Sequence, residues 1–585
     1  MGCAASKEDP EDGDLIIGGL WGGVGTPGYL FPEQLPEHHH ARALQAKADL
    51  CLCLSGGGNR ASTNALGYLR GFHALGLLPK IKYVASNSGG SWFSIPFSFQ
   101  EGRTNAEFLG AYVAPEKLTP HEARAQPDGG FAAVLSSTRS FGATYEEARA
   151  HATSESGVRA YSQTVGQLYL KAHGLDGIDT SFCLDGATGG FRRGRGPHAP
   201  SPPRACRQAE MPFPIMVGTI LSPSGSDYQH VMHPLEFTPL YCGCPAAADG
   251  PAKGSHLGGV LLEPHILNSK PPAALPKDWA SGGRVDVRVA SDYVVPLCQV
   301  AGISSCLMGL MGADDDEHSL WRDAGLPSLE LWSPASVAAA SPSAGARAST
   351  RASRASASGG PVGKFGSYGC ADGARYDNLA IYPGVRRRCK KLMICFSCGA
   401  DVGEPAAFAD AVPHMATYFG ASAKEYTSKA GSLTAAQWNE LCAVFPRDRW
   451  EPLVTALRAA QQAGGATVAR IKLPVLPNAF MGVEGGYEVD TVWLLNGVAT
   501  KWHDALPADT KAEVERLKAE KQFPYISATC VDWEPLMVGA LSSLSAWAVR
   551  DAAETIKDLV LDCEIARRAL QQRAQELHSE KSTLK

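Results

Sequence analysis

The sequence predicts an α/β protein built on a largely parallel sheet, and three observations carry that prediction. Short apolar runs at Leu50–Leu54 and Ile81–Ala85 are near-continuous rather than alternating, as strands buried on both faces of a parallel sheet are. Each run breaks into a glycine turn, Ser55-Gly56-Gly57-Gly58-Asn59-Arg60 after the first and Ser86-Asn87-Ser88-Gly89-Gly90-Ser91-Trp92 after the second. A helix-length segment carrying Leu66, Leu69 and Leu75 separates the two, so the order reads strand, glycine loop, helix, strand, sharp turn. In such a sheet the turns at the carboxyl ends of the strands hold the chemistry.

The first glycine turn suits two chemistries. Backbone N–H groups at the start of a helix can hold a phosphate or a developing oxyanion. A P-loop needs a Lys-Ser/Thr pair after its second glycine and a dinucleotide loop needs spaced glycines, and this turn has neither. Ser88 decides for the oxyanion. It stands where a strand turns sharply with Gly89 and Gly90 behind it, which is how a nucleophile elbow lifts a hydroxyl clear of a sheet.

The 585 residues allow several domains or one large α/β enzyme domain with insertions, and a hydrophobic fraction of 44% supports a sizeable core. A net charge of −5 implies no nucleic-acid partner. No run of 18 uncharged apolar residues occurs, so neither a transmembrane helix nor a signal peptide is expected. The 16 cysteines are scattered through apolar runs, as buried reduced thiols of a cytosolic protein are. Cys51-x-Cys53 and Cys242-x-Cys244 lack a second pair at zinc-ligand spacing, so no metal and no cofactor are expected.

In these two turns the chain resembles the cytosolic phospholipase A2 and fungal phospholipase B (lysophospholipase) family, distantly related to the patatin lipases. The resemblance rests on S-G-G-G-x-R at Ser55–Arg60 and, about 30 residues later, Tyr83-Val84-Ala85-Ser86-Asn87-Ser88-Gly89-Gly90-Ser91-Trp92. Downstream, Asp372-Gly373-Ala374, Tyr376-Asp377-Asn378-Leu379, Tyr382-Pro383, Arg386-Arg387-Arg388 and Leu392–Phe396 keep the family's order. Fainter echoes are Pro212–Ile215, Glu236-Phe237-Thr238-Pro239, Gly302-Ile303-Ser304-Ser305 and Phe523-Pro524, so roughly residues 45 to 550 are covered. The resemblance implies a central mixed, largely parallel sheet flanked by helices, with a cap region inserted in the chain. It further implies a Ser88–Asp372 dyad without histidine, an oxyanion hole at Gly57 and Gly58, and Arg60 on the lipid phosphate. Asn59 stands where the family has an aromatic residue and Ser86 where the elbow has a glycine, two small polar changes expected to bear on substrate range and elbow geometry.

Along the rest of the chain, Met1-Gly2-Cys3-Ala4-Ala5-Ser6 matches the pattern for myristoylation of Gly2, with Cys3 beside it as a palmitoylation acceptor. Two chains anchor stably where one does not, so anchoring on the cytosolic leaflet is expected. Residues 1–44 read as this acylated lead-in, with His38-His39-His40 as solvated loop. Helical stretches such as Ser156–Lys171 follow, then a glycine-, proline- and arginine-rich exposed loop over 186–208 and a buried strand at Phe213–Leu221. Residues 333–360 hold no aromatic and no acidic residue and read as a disordered insertion in the 45–550 catalytic domain, in which Arg347, Arg351 and Arg354 each precede a serine by two. Asp314-Asp315-Asp316-Glu317 lacks the ligand spacing of a calcium loop. Over 551–585, Ile556, Leu559, Cys563, Leu570, Ala574 and Leu577 form one face of a terminal helix.

The expected function is that of a membrane-associated phospholipase A2 or lysophospholipase acting on glycerophospholipid esters, with the membrane surface as partner and no protein partner. A Ser-His-Asp esterase using His414, His503 or His578 is the rival within the same chemistry. A lipid-binding scaffold that kept the fold and lost turnover is the rival outside it.

Overall fold

The computed structural model describes residues 15–38, 40–125, 129–151, 158–185, 203–207, 211–221, 232–246, 257–290, 294–311, 324–334, 337, 366–428 and 431–561. Its centre is a mixed sheet of 13 strands. In chain order these are β1 (Ile16–Gly22), β2 (Ala48–Leu54), β3 (Ile81–Asn87), β4 (Phe213–Leu221), β5 (Met232–Phe237), β6 (Cys242–Gly243), β7 (Val260–Leu262), β8 (Arg284–Val289), β9 (Ser328–Leu331), β10 (Gly366–Asp372), β11 (Lys391–Phe396), β12 (Thr467–Val475) and β13 (Tyr487–Leu495). Spatially they run β8-β1-β7-β6-β5-β4-β3-β2-β11-β13-β12, with β10 joined to β4 and to β9.

The five strands β4, β3, β2, β11 and β13 are mutually parallel, and antiparallel strands extend the sheet on both sides. The parallel centre is where the near-continuous apolar runs lie, since Leu50, Cys51, Leu52, Cys53 and Leu54 are all buried. Helices α1 (Gly58–Ala74), α2 (Gly89–Phe99), α3 (Leu297–Ser305) and α4 (Pro535–Asp551) cover this centre. α4 lies close on α1: a Cβ on Gly67 would sit 2.3 Å from the Ser542 carbonyl oxygen and one on Gly71 2.6 Å from Val549 Cβ. This long helix near the end of the described chain thus backs the helix that opens on the glycine turn.

Several expectations are modified. Strand β1 belongs to the main sheet, pairing with β7 and β8, so the segment read as lead-in contributes to the core. His40 is not simply solvated; its Nε2 pairs with Asp185. Within the stretch read as an exposed loop, Arg204–Ala205 pairs in parallel with Phe182–Cys183 and Cys206 is buried. In the basic run, Arg386 and Arg387 are buried and hold Glu236 at 2.7 and 2.9 Å, while Arg387 also holds Glu33 at 2.7 Å. The fainter motif Glu236-Phe237-Thr238-Pro239 and the basic run Arg386-Arg387 therefore meet as one buried charge cluster. Residues 553–561 continue as helix with Ile556 and Leu559 buried. Gly2, Cys3, Asp314–Glu317, nearly all of the 333–360 insertion, and the terminal helix beyond residue 561 lie outside the described residues. Among the described residues no helix is long and apolar enough to cross a membrane.

Candidate active site

Three strand ends converge. β2 runs into Ser55-Gly56-Gly57-Gly58, whose last glycine opens α1; β3 turns through Ser88 into α2; β10 ends on Asp372. The register brings them together: on the edge of β4 not taken by β5, Val217 pairs with Asn87 and the next residue, Gly218, pairs with Asp372.

Ser88 has φ 51° and ψ −122°, a left-handed backbone at a residue other than glycine. Such strain amounts to about 1–3 kcal/mol and persists only where the surroundings hold it. Here the Ser88 N–H donates to the Ser304 carbonyl at 3.1 Å and to Ser304 Oγ at 3.0 Å. The two glycines behind it are sterically required: a Cβ on Gly89 would lie 2.0 Å from the Gly58 carbonyl oxygen, and one on Gly90 2.7 Å from that of Leu54. Ser86 does not spoil the elbow. It is the penultimate residue of β3, without a positive φ, and its hydroxyl shares hydrogen bonds with Ser91 at 3.1 Å and Ser94 at 2.6 Å.

Asp372 is buried, and its Oδ1 accepts from the Ala374 N–H at 2.8 Å and from Asn87 Nδ2 at 3.2 Å. Burial pushes its pKa up to about 6, with the Ala374 N–H, the Ser88 hydroxyl and the Asn87 amide opposing that rise. Such a carboxylate is a stronger base than one in water yet still mostly ionised at neutral pH.

The Gly56 N–H donates to the Asn378 carbonyl at 2.7 Å. Those of Gly57 and Gly58 have no acceptor among the described residues, and Gly58 begins a helix of 17 residues whose dipole favours negative charge there. Their φ angles of 133° and 58° need glycine, and a Cβ on Gly58 would also meet the Ala528 carbonyl oxygen at 2.1 Å. Arg60 is buried, with Nε on Ser397 Oγ at 3.2 Å, Nη1 on the Ile526 carbonyl at 2.5 Å and Nη2 on the Ser397 carbonyl at 3.2 Å. Burial lowers its pKa, and no carboxylate pairs with it among the described residues. Three of its five N–H bonds are therefore spent on neutral oxygens, and its charge is left uncompensated.

Gly57, Gly58, Arg60, Ser88 and Asp372 all line one cavity of about 490 Å³. Asn59 belongs to its wall: Nδ2 donates to Thr138 at 2.8 Å, and Oδ1 accepts from Tyr169 at 2.8 Å. Tyr169 in turn stacks on Trp92 with ring centroids 4.1 Å apart. The polar residue in the aromatic position thus ties the glycine turn to the aromatic wall. His414 lines the cavity too, with its pKa lowered to about 4 chiefly by burial, but it has no hydrogen bond to Ser88 or Asp372. His503 pairs with Glu515 at 2.8 Å away from the cavity, and His578 lies outside the described residues.

Two residues of this site were not singled out from the sequence. Ser304 sits inside a motif quoted only as a fainter echo, and Asn87 inside the elbow itself, where its neighbour drew the attention.

No protein-family model matches the chain, and no curated protein matches its sequence. Among solved structures it is similar to human GIVD cytosolic phospholipase A2, with a TM-score of 0.41 and 14% identity over 89% of this chain and 62% of that one. Complexes of the same human protein with methyl γ-linolenyl fluorophosphonate give a TM-score of 0.37, at 13% identity with terbium chloride present and 14% without it. This chain spans 61% and 60% of those two, less than two thirds of their length.

Proposed function

We propose that the chain is a serine acyl hydrolase cleaving fatty-acyl esters of glycerophospholipids or lysophospholipids. One observation carries the reading: a strained elbow presents the Ser88 hydroxyl to a buried carboxylate of raised basicity, beside two glycine N–H groups without acceptors among the described residues. Ser88 Oγ would attack the ester carbonyl as its proton passes to Asp372. The N–H groups of Gly57 and Gly58 would hold the oxyanion, where preorganised donors act most strongly. Collapse returns the proton to the leaving alcohol, and water then cleaves the acyl-serine by the same steps.

The lining supports a lipid substrate. Leu307, Met308 and Val531 line the cavity while staying exposed by 49%, 38% and 39%, so its mouth carries an apolar rim suited to acyl chains at a lipid surface. Arg60 supports a phosphate beside the ester, since no carboxylate pairs with it among the described residues and its planar fork suits phosphate oxygens. The Met1–Ser6 pattern supports dual acylation of Gly2 and Cys3, and with it attachment to the cytosolic leaflet.

The test is to incubate the protein with a fluorophosphonate probe and, separately, with mixed phospholipid vesicles. Covalent labelling at Ser88 and release of free fatty acid are expected. A folded wild-type protein that does neither is a scaffold, and the reading fails.

A further inference from the structure

We propose that Asn87 is the positioning residue for Asp372, its side-chain amide holding the carboxylate toward the Ser88 hydroxyl. The inference rests on the serine-hydrolase reading and deepens it, because it adds an orienting group to what the motif resemblance implies is a bare dyad.

Asn87 is the last residue of β3 and immediately precedes the nucleophile, with its side chain fully buried. Its Nδ2 donates to Asp372 Oδ1 at 3.2 Å and lies 3.5 Å from Asn378 Oδ1. Two glycines make room for it. A Cβ on Gly56 would come within 2.9 Å of Asn87 Nδ2, and one on Gly373 within 2.4 Å of Asn87 Oδ1. The first glycine of the oxyanion turn and the glycine after the base are thus both shaped around this amide.

Asn87 Oδ1 is buried without a hydrogen-bond partner among the described residues. A leucine would fill the same volume without stranding an acceptor, so packing alone does not account for an asparagine here. The donor on its other branch does. With Oδ1 of Asp372 engaged by Asn87 and Ala374, the proton leaving Ser88 Oγ is directed to Oδ2, and from there to the oxygen of the leaving alcohol.

No cation bonds to Asp372 among the described residues. The ionisable groups near Asp372 include Cys306 and Tyr161, both kept neutral by burial, Arg375 and Asp377 in the short helix that follows it, with the Arg375 guanidinium over the Trp438 ring, and Arg60 and His414 on the shared cavity. Neutral donors alone oppose the desolvation of this carboxylate, and the Ser88 hydroxyl stops being one of them once it is acylated. Asn87 and the Ala374 N–H remain through the whole cycle.

The test is the pH profile of kcat/KM on an uncharged short-chain ester, with the rate of fluorophosphonate labelling, in Asn87→Leu and the isosteric Asn87→Asp. Asn87→Leu should lower kcat by about 10- to 100-fold with KM nearly unchanged, and move the acid limb up by about one pH unit. In Asn87→Asp two carboxylates compete for one proton, so the limb should move further in the same direction. Thermal unfolding separates misfolded variants from altered ones, and Asn87→Ser, too short to reach Asp372, replaces the leucine variant if that does not fold. A fall in kcat with the acid limb unmoved makes Asn87 a packing residue and overturns the proposal, as do variants indistinguishable from wild type. Wild-type protein that neither hydrolyses nor labels overturns the hydrolase reading and this inference together, which separates that failure from the others.

Discussion

Gly89 packs directly against Gly58, so closely that a Cβ on Gly89 would stand 2.0 Å from the Gly58 carbonyl oxygen. The elbow and the oxyanion turn are therefore one rigid unit, held by the absence of side chains from both. The atom in the way is backbone at the start of α1, which cannot give without shifting the Gly57 and Gly58 N–H groups. Gly89→Ala should accordingly lose activity by about 100-fold or more, the scale of losing an oxyanion donor. The rate on an uncharged short-chain ester checks this, and wild-type turnover in a folded variant would mean the turn is not the oxyanion hole.

Ser88→Ala and Asp372→Asn should each remove nearly all hydrolysis, and the double variant should lose little more, because residues acting as one unit are not additive. His414→Ala should keep most activity, since His414 bonds to neither reacting residue although it lines the cavity. Steady-state rates of the four proteins check this. Substantial turnover in Asp372→Asn, or its loss in His414→Ala, moves the base to the histidine.

Stability and activity should respond to acid in opposite directions. The pKa values of Asp372 and Asp377 are both raised from 3.8 to about 6, mainly by burial. Each binds its proton more tightly folded than unfolded, so these two groups stabilise the fold increasingly as pH falls from above 6 towards 4. Hydrolysis needs ionised Asp372 and should fall through that same window. At pH 8 Asp372→Asn should be more stable than wild type by roughly 1–3 kcal/mol, because a desolvated carboxylate is gone, and this margin should shrink by pH 5. Tm of the two proteins at both pH values is the measurement. A margin that is absent at pH 8 means Asp372 is not destabilised by burial.

Arg60→Lys should separate phosphate recognition from loop anchoring. A lysine keeps a point charge but loses the fork that spans Ser397 and Ile526. If about 1.5–3 kcal/mol of a charge-assisted contact to phosphate is lost, phospholipid turnover drops by roughly one to two orders of magnitude. An uncharged ester should be hydrolysed almost as before. Equal losses on both substrates would make Arg60 a clamp for the loop and nothing more.

Gly2→Ala should release the protein from membranes, and Cys3→Ser should leave it weakly and reversibly bound, as one acyl chain alone is. Sedimentation with membranes reads both. A Gly2→Ala protein that still pellets is anchored elsewhere.

Much of this protein was legible in its sequence because the decisive signals are local. A run of buried apolar residues ending in consecutive glycines states strand, turn and helix start within ten positions, and Ser88 with Gly89 and Gly90 states an elbow, although the groups that hold it, Ser304 and the carbonyls of Gly58 and Leu54, come from elsewhere in the chain. Asp372 was reached through motif order, and its raised basicity was out of reach, because burial is set by everything that packs around a group rather than by the residues beside it. The same limit hid the partners of the arginine run, since Glu236 and Glu33 arrive from elsewhere in the chain to pair with Arg386 and Arg387 in the core. The arrangement that only the tertiary structure decided is the register on β4, where Val217 meets Asn87 and Gly218 meets Asp372. One residue of slip would turn every side chain of β10 to the opposite face of the sheet and carry the carboxylate away from Ser88. No local signal sets that alignment, since it comes from the packing of strands that lie far apart in the chain.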